Sequence, residues 1–239
     1  MKATINLEKK HFPVLLNELI SIISPLYGGT FIDCTFGNGG YSSKILENNL
    51  NSVVAIDRDL DVKIRAEKLK KKFPLRFEFY NSRFSEINVL KTENKKIKGI
   101  IFDLGYSLDQ ILSKTKGLSF KSENKLNMQM GLNDISANDV INKMSQQSIN
   151  NILKYFGDEK KSKIISKIIC ERRKTKLIKT NDLVKIINTV KKMPKSKIHN
   201  ATKSFQALRI FVNQEISELM QGLINAYKIL PIGGVMVIV

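Results

Sequence analysis

Three glycines within four residues, Gly37, Gly39 and Gly40, follow the β-prone run Phe31-Ile32-Asp33-Cys34-Thr35-Phe36. Glycine reaches positive φ and carries no Cβ, so a loop of this kind brings backbone N–H groups close to a nucleotide-like ligand. Three carboxylates recur at comparable places: Asp33 within that run, Asp57 after Val53-Val54-Ala55-Ile56, and Asp103 after Ile100-Ile101-Phe102. A carboxylate at a strand end accepts hydrogen bonds from both hydroxyls of a ribose, which a lysine cannot do. Asp57 lies 17 residues beyond Gly40, close to the spacing expected of such an acid. The alternative is that Asp57 caps the turn that follows it. The two histidines and two cysteines form no zinc-spaced cluster, and Cys34 and Cys170 are too far apart in sequence to suggest a disulfide framework.

The glycine spacing narrows the ligand. A dinucleotide fingerprint needs glycine at position 42, where Ser42 stands, and Gly40 is then superfluous. That disfavours a nicotinamide oxidoreductase. The pattern Asp-x-x-x-Gly-x-Gly-Gly looks instead like the cofactor loop of an S-adenosylmethionine (SAM) methyltransferase, with Gly37, Gly39 and Gly40 against the cofactor. Asp103 and Ser107, in the segment Asp103–Gln110, fall where cofactor and substrate would meet. Asp103 would orient the adenine or the amino acid part of SAM, or accept a hydrogen bond from an exocyclic amine awaiting methylation. Such an amine is a weak nucleophile, so catalysis would rest on alignment and hydrogen bonding. Reaching it requires a base taken out of its stack.

The elements that must position these residues alternate. A helix is expected over residues 14–23, strands over Thr30–Thr35, Ser52–Ile56, Arg76–Tyr80 and Gly99–Phe102, and helices between them, including one from Asp61 to Lys72. Continuous apolar strands joined by helices indicate an α/β fold with a doubly wound parallel sheet. From about Gln110 to Asn200 the strands stop. Helices are expected over Ala137–Met144, Gln146–Phe156 (ended by Gly157), Asp158–Lys174 and Asn181–Lys192. A long helix, Thr202–Leu230, then leads to a fifth strand, Val235–Val239. The expected organisation is a discontinuous domain of residues 1–109 and 201–239 with an inserted helical domain of residues 110–200. A chain ending in a fifth strand leaves an apolar edge, which reads as a shortened chain lacking C-terminal strands.

Net charge sharpens the partner. The chain carries +18, and residues 151–203 hold sixteen Lys/Arg against four Asp/Glu, so +12 lies in that span. A codon bias toward lysine would spread the charge evenly; a clustered basic face suits a polyanion such as RNA. Arg172, Arg173, Lys174, His199 and Lys203 are the candidate RNA contacts. Arg172–Lys174 would equally serve a helix C-terminus, and His199 a structural role. No signal-peptide core and no membrane-length apolar run is present, so a cytoplasmic protein without membrane contact is expected.

Several segments together resemble one family, the bacterial 16S ribosomal RNA cytosine-N4 methyltransferases (small-subunit methyltransferase H, or MraW, family). They are His11–Leu16, Asp33–Gly40, Ala55–Asp59, Phe102–Gly105, Gly117–Phe120 and Ala201–Ile210. The resemblance implies a Rossmann-like class I SAM-dependent methyltransferase fold with a helical insert that helps recognise RNA. It implies transfer to N4 of a cytidine of 16S rRNA in the small ribosomal subunit, and leaves a homodimer open. It implies SAM contacts at Gly39, Gly40, Tyr41, Asp57, Phe84, Asp103 and Gln110. This chain departs from the family pattern at Tyr41, where histidine is usual, and at Leu108, where serine is usual. It reads Leu126-Asn127-Met128-Gln129-Met130 for Leu-Asp-Met-Arg-Met, and it lacks the Ser-Phe-His-Ser-Leu-Glu-Asp-Arg segment that follows strand five. A homologue that binds SAM or rRNA without turnover is the competing expectation.

Overall fold

A computed structural model describes residues 13–23, 27–90, 96–113, 115–120, 126–191 and 198–239. His11 and Phe12 of the first family segment lie outside these, as does Lys192 at the end of an expected helix. The chain forms two compact units, Met1–Leu104 with Gln221–Val239, and Gly105–Met220.

In the first unit, β1 (Gly29–Asp33), β2 (Asn51–Asp57), β3 (Phe77–Asn81), β4 (Ile97–Phe102) and β5 (Val235–Ile238) make one sheet in the order β3-β2-β1-β4-β5. All four ladders are parallel. Side chains alternate across a strand, so each strand feeds two cores. Phe31, Val53, Ala55, Phe77 and Ile101 face one; Ile32, Val54, Ile56, Ile100 and Phe102 face the other. The first core is covered by α1 (Leu16–Ile23), α2 (Gly40–Ile45) and α3 (Lys63–Lys72), through residues such as Leu19, Ile45 and Ala66. The second is covered by Ile87 of the 3-10 turn Phe84–Val89 and by Ala226. Apolar residues on both faces are what require helices on both faces, and the sheet is doubly wound as its strand composition predicts. The strand order reverses between β1 and β4, which makes the carboxyl ends of these two strands the crevice where such sheets take ligands.

The second unit has its own core. After α4 (Leu108–Leu112) come α5 (Ala137–Lys143), α6 (Gln146–Gly157), α7 (Ser162–Arg172), α8 (Thr180–Val190) and α9 (Thr202–Val212), with no strand among the described residues. Ile141, Leu153, Ile165, Leu183, Ile187 and Leu208 are buried together. Gly157 does not end α6 by adopting positive φ; Asp158 does that, at φ 45°. Gly157 is needed for close packing, since a Cβ there would lie 2.4 Å from the Lys203 carbonyl oxygen of α9.

The expected helix Thr202–Leu230 is two helices, α9 and α10 (Glu215–Ile229), broken at Asn213-Gln214. Gln214 sits at φ 53°. The buried Asn213 amide explains the break: its Oδ1 accepts from Met130 N–H (2.9 Å), and its Nδ2 donates to the Met128 carbonyl (2.8 Å). Neither glycine nor proline marks the site, so helical periodicity runs through it unbroken in the sequence. The second compact unit runs to Met220, inside α10, and so includes α9, which packs on α6. No helix among the described residues is long and apolar enough to cross a membrane.

Candidate active site

The turn after β1 is tied to the strands on both sides of it. Toward β2, Phe36 N–H donates to the Ile56 carbonyl at 3.0 Å and Gly37 N–H to the Asp57 carboxylate at 2.8 Å. Toward β4, Cys34 N–H donates to the Ile101 carbonyl at 2.9 Å, and Thr35 Oγ1 accepts the Asp103 N–H at 2.8 Å. Gly37 and Gly39 lie at φ 50° and 73°, a region that L side chains rarely adopt. Gly40 opens α2 and needs no unusual φ. There the constraint is space, because a Cβ would lie 2.1 Å from Pro13 Cγ. At Gly37 a Cβ would meet only the Thr35 carbonyl oxygen, at 3.8 Å, so the loop presents bare backbone at that point.

Ser42, the residue that breaks the dinucleotide fingerprint, has a partner. Its hydroxyl donates to Asp33 Oδ2 at 2.6 Å, and both side chains are fully buried. Thr35 N–H donates to the other Asp33 oxygen at 3.3 Å. Burial pushes the Asp33 carboxyl up to about 6, against the opposing effect of these hydrogen bonds; the charges of Asp57 and Asp103 raise it further. Three acids therefore gather at neighbouring strand ends in an incompletely solvated crevice. A serine beside a buried acid was legible in the sequence only as a missing glycine.

Asp57 performs the turn-capping role weighed for it and also ties down the glycine loop. Its Oδ1 accepts Asp59 N–H at 2.8 Å, the turn-capping bond, while Oδ2 holds the glycine loop. A carboxylate accepts about four hydrogen bonds, so shaping the loop and binding a diol are compatible. Tyr41 is buried, donates its hydroxyl to the Val14 carbonyl at 2.5 Å and lies beside Asp103. Burial first, then the Asp103 and Asp33 charges, push the Tyr41 phenol well up, so it remains a neutral donor. Phe84 follows β3 at the start of the 3-10 turn. Its ring meets the Phe102 ring edge-on at 5.5 Å and fills the space a Cβ would take at Gly222.

The remaining candidates belong to the second unit. Ser107 and Gln110 bond to each other: Ser107 Oγ accepts Gln110 N–H (3.2 Å), and Gln110 Oε1 accepts Ser107 N–H (2.9 Å), the capping box of α4. Arg172 and Lys174 are exposed. Arg173 instead donates to the Ile141 carbonyl at 2.9 Å, at the end of α5. Lys203 is paired with Asp158 at 2.7 Å, and this ion pair holds the Asp158 carboxyl below its usual range. His199 Nδ1 accepts Ala201 N–H at 3.2 Å before α9, and its ring stacks on Phe120. Three of the five basic candidates thus have intramolecular partners in the fold, and the other two, Arg172 and Lys174, stand on the surface.

The residues of the first unit fit a SAM-type ligand. Two left-handed glycines and open space at Gly37 leave a backbone cradle, Asp57 supplies acceptors for a ribose, and the acids suit a cationic sulfonium. Thr35, which anchors Asp103, escaped notice in the sequence because a threonine after a buried strand has no distinctive signature.

Residues 8–239 match the model of the MraW methylase family. The chain is 40% identical over 234 residues to ribosomal RNA small subunit methyltransferase H of Rickettsia canadensis (strain McKiel), covering 98% of this chain and 76% of that protein. It is also 40% identical over 232 residues to the protein of the same name from Rickettsia massiliae (strain Mtu5), covering 97% and 75%. A solved structure from Streptococcus mutans in complex with SAH aligns at 24% identity and a TM-score of 0.31, over 38% of this chain and 53% of its own. The match from residue 8 to 239 settles the assignment: this chain belongs to the MraW methylase family, whose methyl donor is S-adenosylmethionine.

Proposed function

We propose that the chain transfers a methyl group from SAM to N4 of a cytidine in 16S rRNA of the small ribosomal subunit. The observation that carries this reading is the family match from residue 8 to 239, which takes in both the glycine loop and the basic helical segment. The relatives it matches bear the name of small-subunit rRNA methyltransferases. When bound, the cofactor supplies an electrophilic methyl on a positively charged sulfur. Gly37, Gly39 and Gly40 hold the loop open toward it, with Tyr41 and Phe84 at its flanks, and Asp57 accepts from its ribose hydroxyls. Asp103, fixed by Thr35 through its own N–H, accepts a hydrogen bond from the cytosine amine and turns the nitrogen lone pair toward the methyl group. Ser107 and Gln110 are carried by the second unit, where each caps α4 through the other's backbone N–H. Arg172 and Lys174 contact RNA phosphates, while Arg173, His199 and Lys203 support that surface.

A second reading, binding of SAM or rRNA without turnover, is favoured by one observation. Gln129 stands where the family has arginine, and its amide donates to the Ile135 carbonyl at 3.1 Å, within its own loop. Small subunits from a strain lacking the modification, incubated with this protein and tritiated-methyl SAM, decide between the two. Digestion to nucleosides should place the label in N4-methylcytidine. Label in another nucleoside overturns the cytidine assignment; bound cofactor with no label in RNA establishes the second reading.

A further inference from the structure

We propose that α3 of the first unit is a docking surface for RNA phosphates, formed by the exposed face of Lys68, Lys71 and Lys72. RNA as the polymer rests on the rRNA-methyltransferase reading; the surface lies wholly in the first unit, outside the basic helical span.

Charge outside the helical span is concentrated here. Residues 60–76 hold seven Lys/Arg against two Asp/Glu, so +5 of the +18 lies in that stretch. With +12 over residues 151–203, the rest of the chain carries only +1. A codon bias toward lysine would not leave all other residues so near neutrality. In α3, Lys63, Lys68, Lys70, Lys71 and Lys72 are exposed, and Ala66 is the buried residue. Lys68, Lys71 and Lys72 stand at i, i+3 and i+4, so they are neighbours on the face opposite Ala66.

The helix itself gains little from this charge. Cations suit the last turn of a helix, where Lys70, Lys71 and Lys72 stand, but Lys63 opens α3 and its first turn holds no acid. Lys68 repels both Lys71 and Lys72 across one turn. Glu67 is the single acid of the helix, and among the described residues Lys68, Lys70 and Lys71 make no ion pair. A polyanion relieves that repulsion and releases counterions as it binds. A lipid surface suits α3 poorly, because its apolar side, Ala66 and Leu69, is already packed in the first core. The helix is also fixed to the cofactor turn. Asp57 Oδ1 accepts Asp59 N–H at 2.8 Å, and Asp59 Oδ1 accepts Asp61 N–H at 3.1 Å, capping the 3-10 turn Leu60–Val62 that runs into Lys63. Ten residues give α3 a length of about 15 Å. Its last turns therefore meet phosphates away from the reacting nucleotide, and such contacts position a substrate without reading its bases.

The test uses the whole chain and a fluorescein-labelled single-stranded RNA, with anisotropy read over a salt series. A Lys68→Ala, Lys71→Ala, Lys72→Ala triple variant should reduce the slope of log affinity against log salt by about 2–3, and weaken binding about 10- to 100-fold at physiological salt. Its circular dichroism and its affinity for SAH should match those of the unaltered chain. Arginine at the same three positions keeps the charge and should restore RNA binding. Lys228→Ala removes an exposed lysine of the same unit from outside this face and should leave the slope as it is. An unchanged slope in the triple variant, with a reduced slope in an Arg172→Ala, Lys174→Ala double variant, overturns the α3 surface and leaves the RNA reading standing. A slope reduced by Lys228→Ala as much as by each α3 lysine also overturns it, since net charge and not a surface is then responsible. If the unaltered chain binds no RNA, the RNA reading fails and the occupant of α3 with it. Polyglutamate that displaces the labelled strand as well as unlabelled RNA of equal charge does would overturn RNA in favour of an acidic protein partner.

Discussion

The Gly37 N–H donates to the Asp57 carboxylate at 2.8 Å, tying two segments 20 residues apart into one turn. The acid that would bind the ribose therefore also shapes the loop above it. Asp57→Ala should lower SAH affinity by about 10- to 100-fold, as expected when bonds to a charged acceptor are lost, and should lower thermal stability as well. Asp57→Asn keeps an oxygen for Gly37 and should recover most of the stability but only part of the affinity. Calorimetric titration with SAH beside thermal melts separates these effects. Equal affinity in all three proteins would remove Asp57 from the binding site.

The three loop glycines should respond differently to alanine. Gly37→Ala meets open space and pays only for positive φ, about 1 kcal/mol. Gly39→Ala adds a contact 2.8 Å from the Phe36 ring, and Gly40→Ala one 2.1 Å from Pro13. Each of these should cost about 2–4 kcal/mol, Gly39→Ala through backbone strain and overpacking together and Gly40→Ala through overpacking alone. Denaturant unfolding of the three variants gives the order directly.

Asp33 should give the chain an acid-side stability signature. Its carboxyl is raised from 3.8 to about 6 in the folded state. A raised acid favours the protonated native form, so its contribution is fully present below about pH 4 and is lost as pH rises through about 6. The loss approaches roughly 3 kcal/mol for a shift of this size. In Asp33→Asn that fall should vanish. Subtracting its stability-against-pH curve from that of the unaltered chain isolates the effect from Asp139 and Asp182, whose carboxyls are lowered and lose stability in the opposite sense, as pH falls.

Neighbouring basic residues should separate by role. Arg172→Ala and Lys174→Ala should each reduce the slope of log affinity for RNA against log salt by about 1, with stability unchanged. Arg173→Ala should instead destabilise the helical unit by about 1–2 kcal/mol, because the Ile141 carbonyl loses its donor. Anisotropy in a salt series and thermal melts give both readings for each variant.

Much of this arrangement was legible in the residues. Apolar runs such as Val53–Ile56, bounded by charged or glycine-containing turns, specify buried parallel strands because no other element hides both faces of so short a segment. The glycines and Asp57 were legible because their requirements, positive φ and acceptor-only chemistry, are local. The end of α9 was not. Asn213 breaks the helix through bonds to Met128 and Met130, more than 80 positions earlier, and no local pattern encodes a partner so distant. Ser107 and Gln110 read as site residues, and the fold uses them first to cap α4.

By itself the sequence determined the strand content, the glycine loop, the acids at strand ends and the concentration of positive charge, since each follows from residue type and spacing. Tertiary structure alone decided which groups meet. It placed Ser42 on Asp33, gave Asp57 two backbone donors and paired Lys203 with Asp158. The physical reason is that hydrogen bonds and ring contacts act over a few ångströms, and chain spacing does not report distance once a sheet and a helical core have folded.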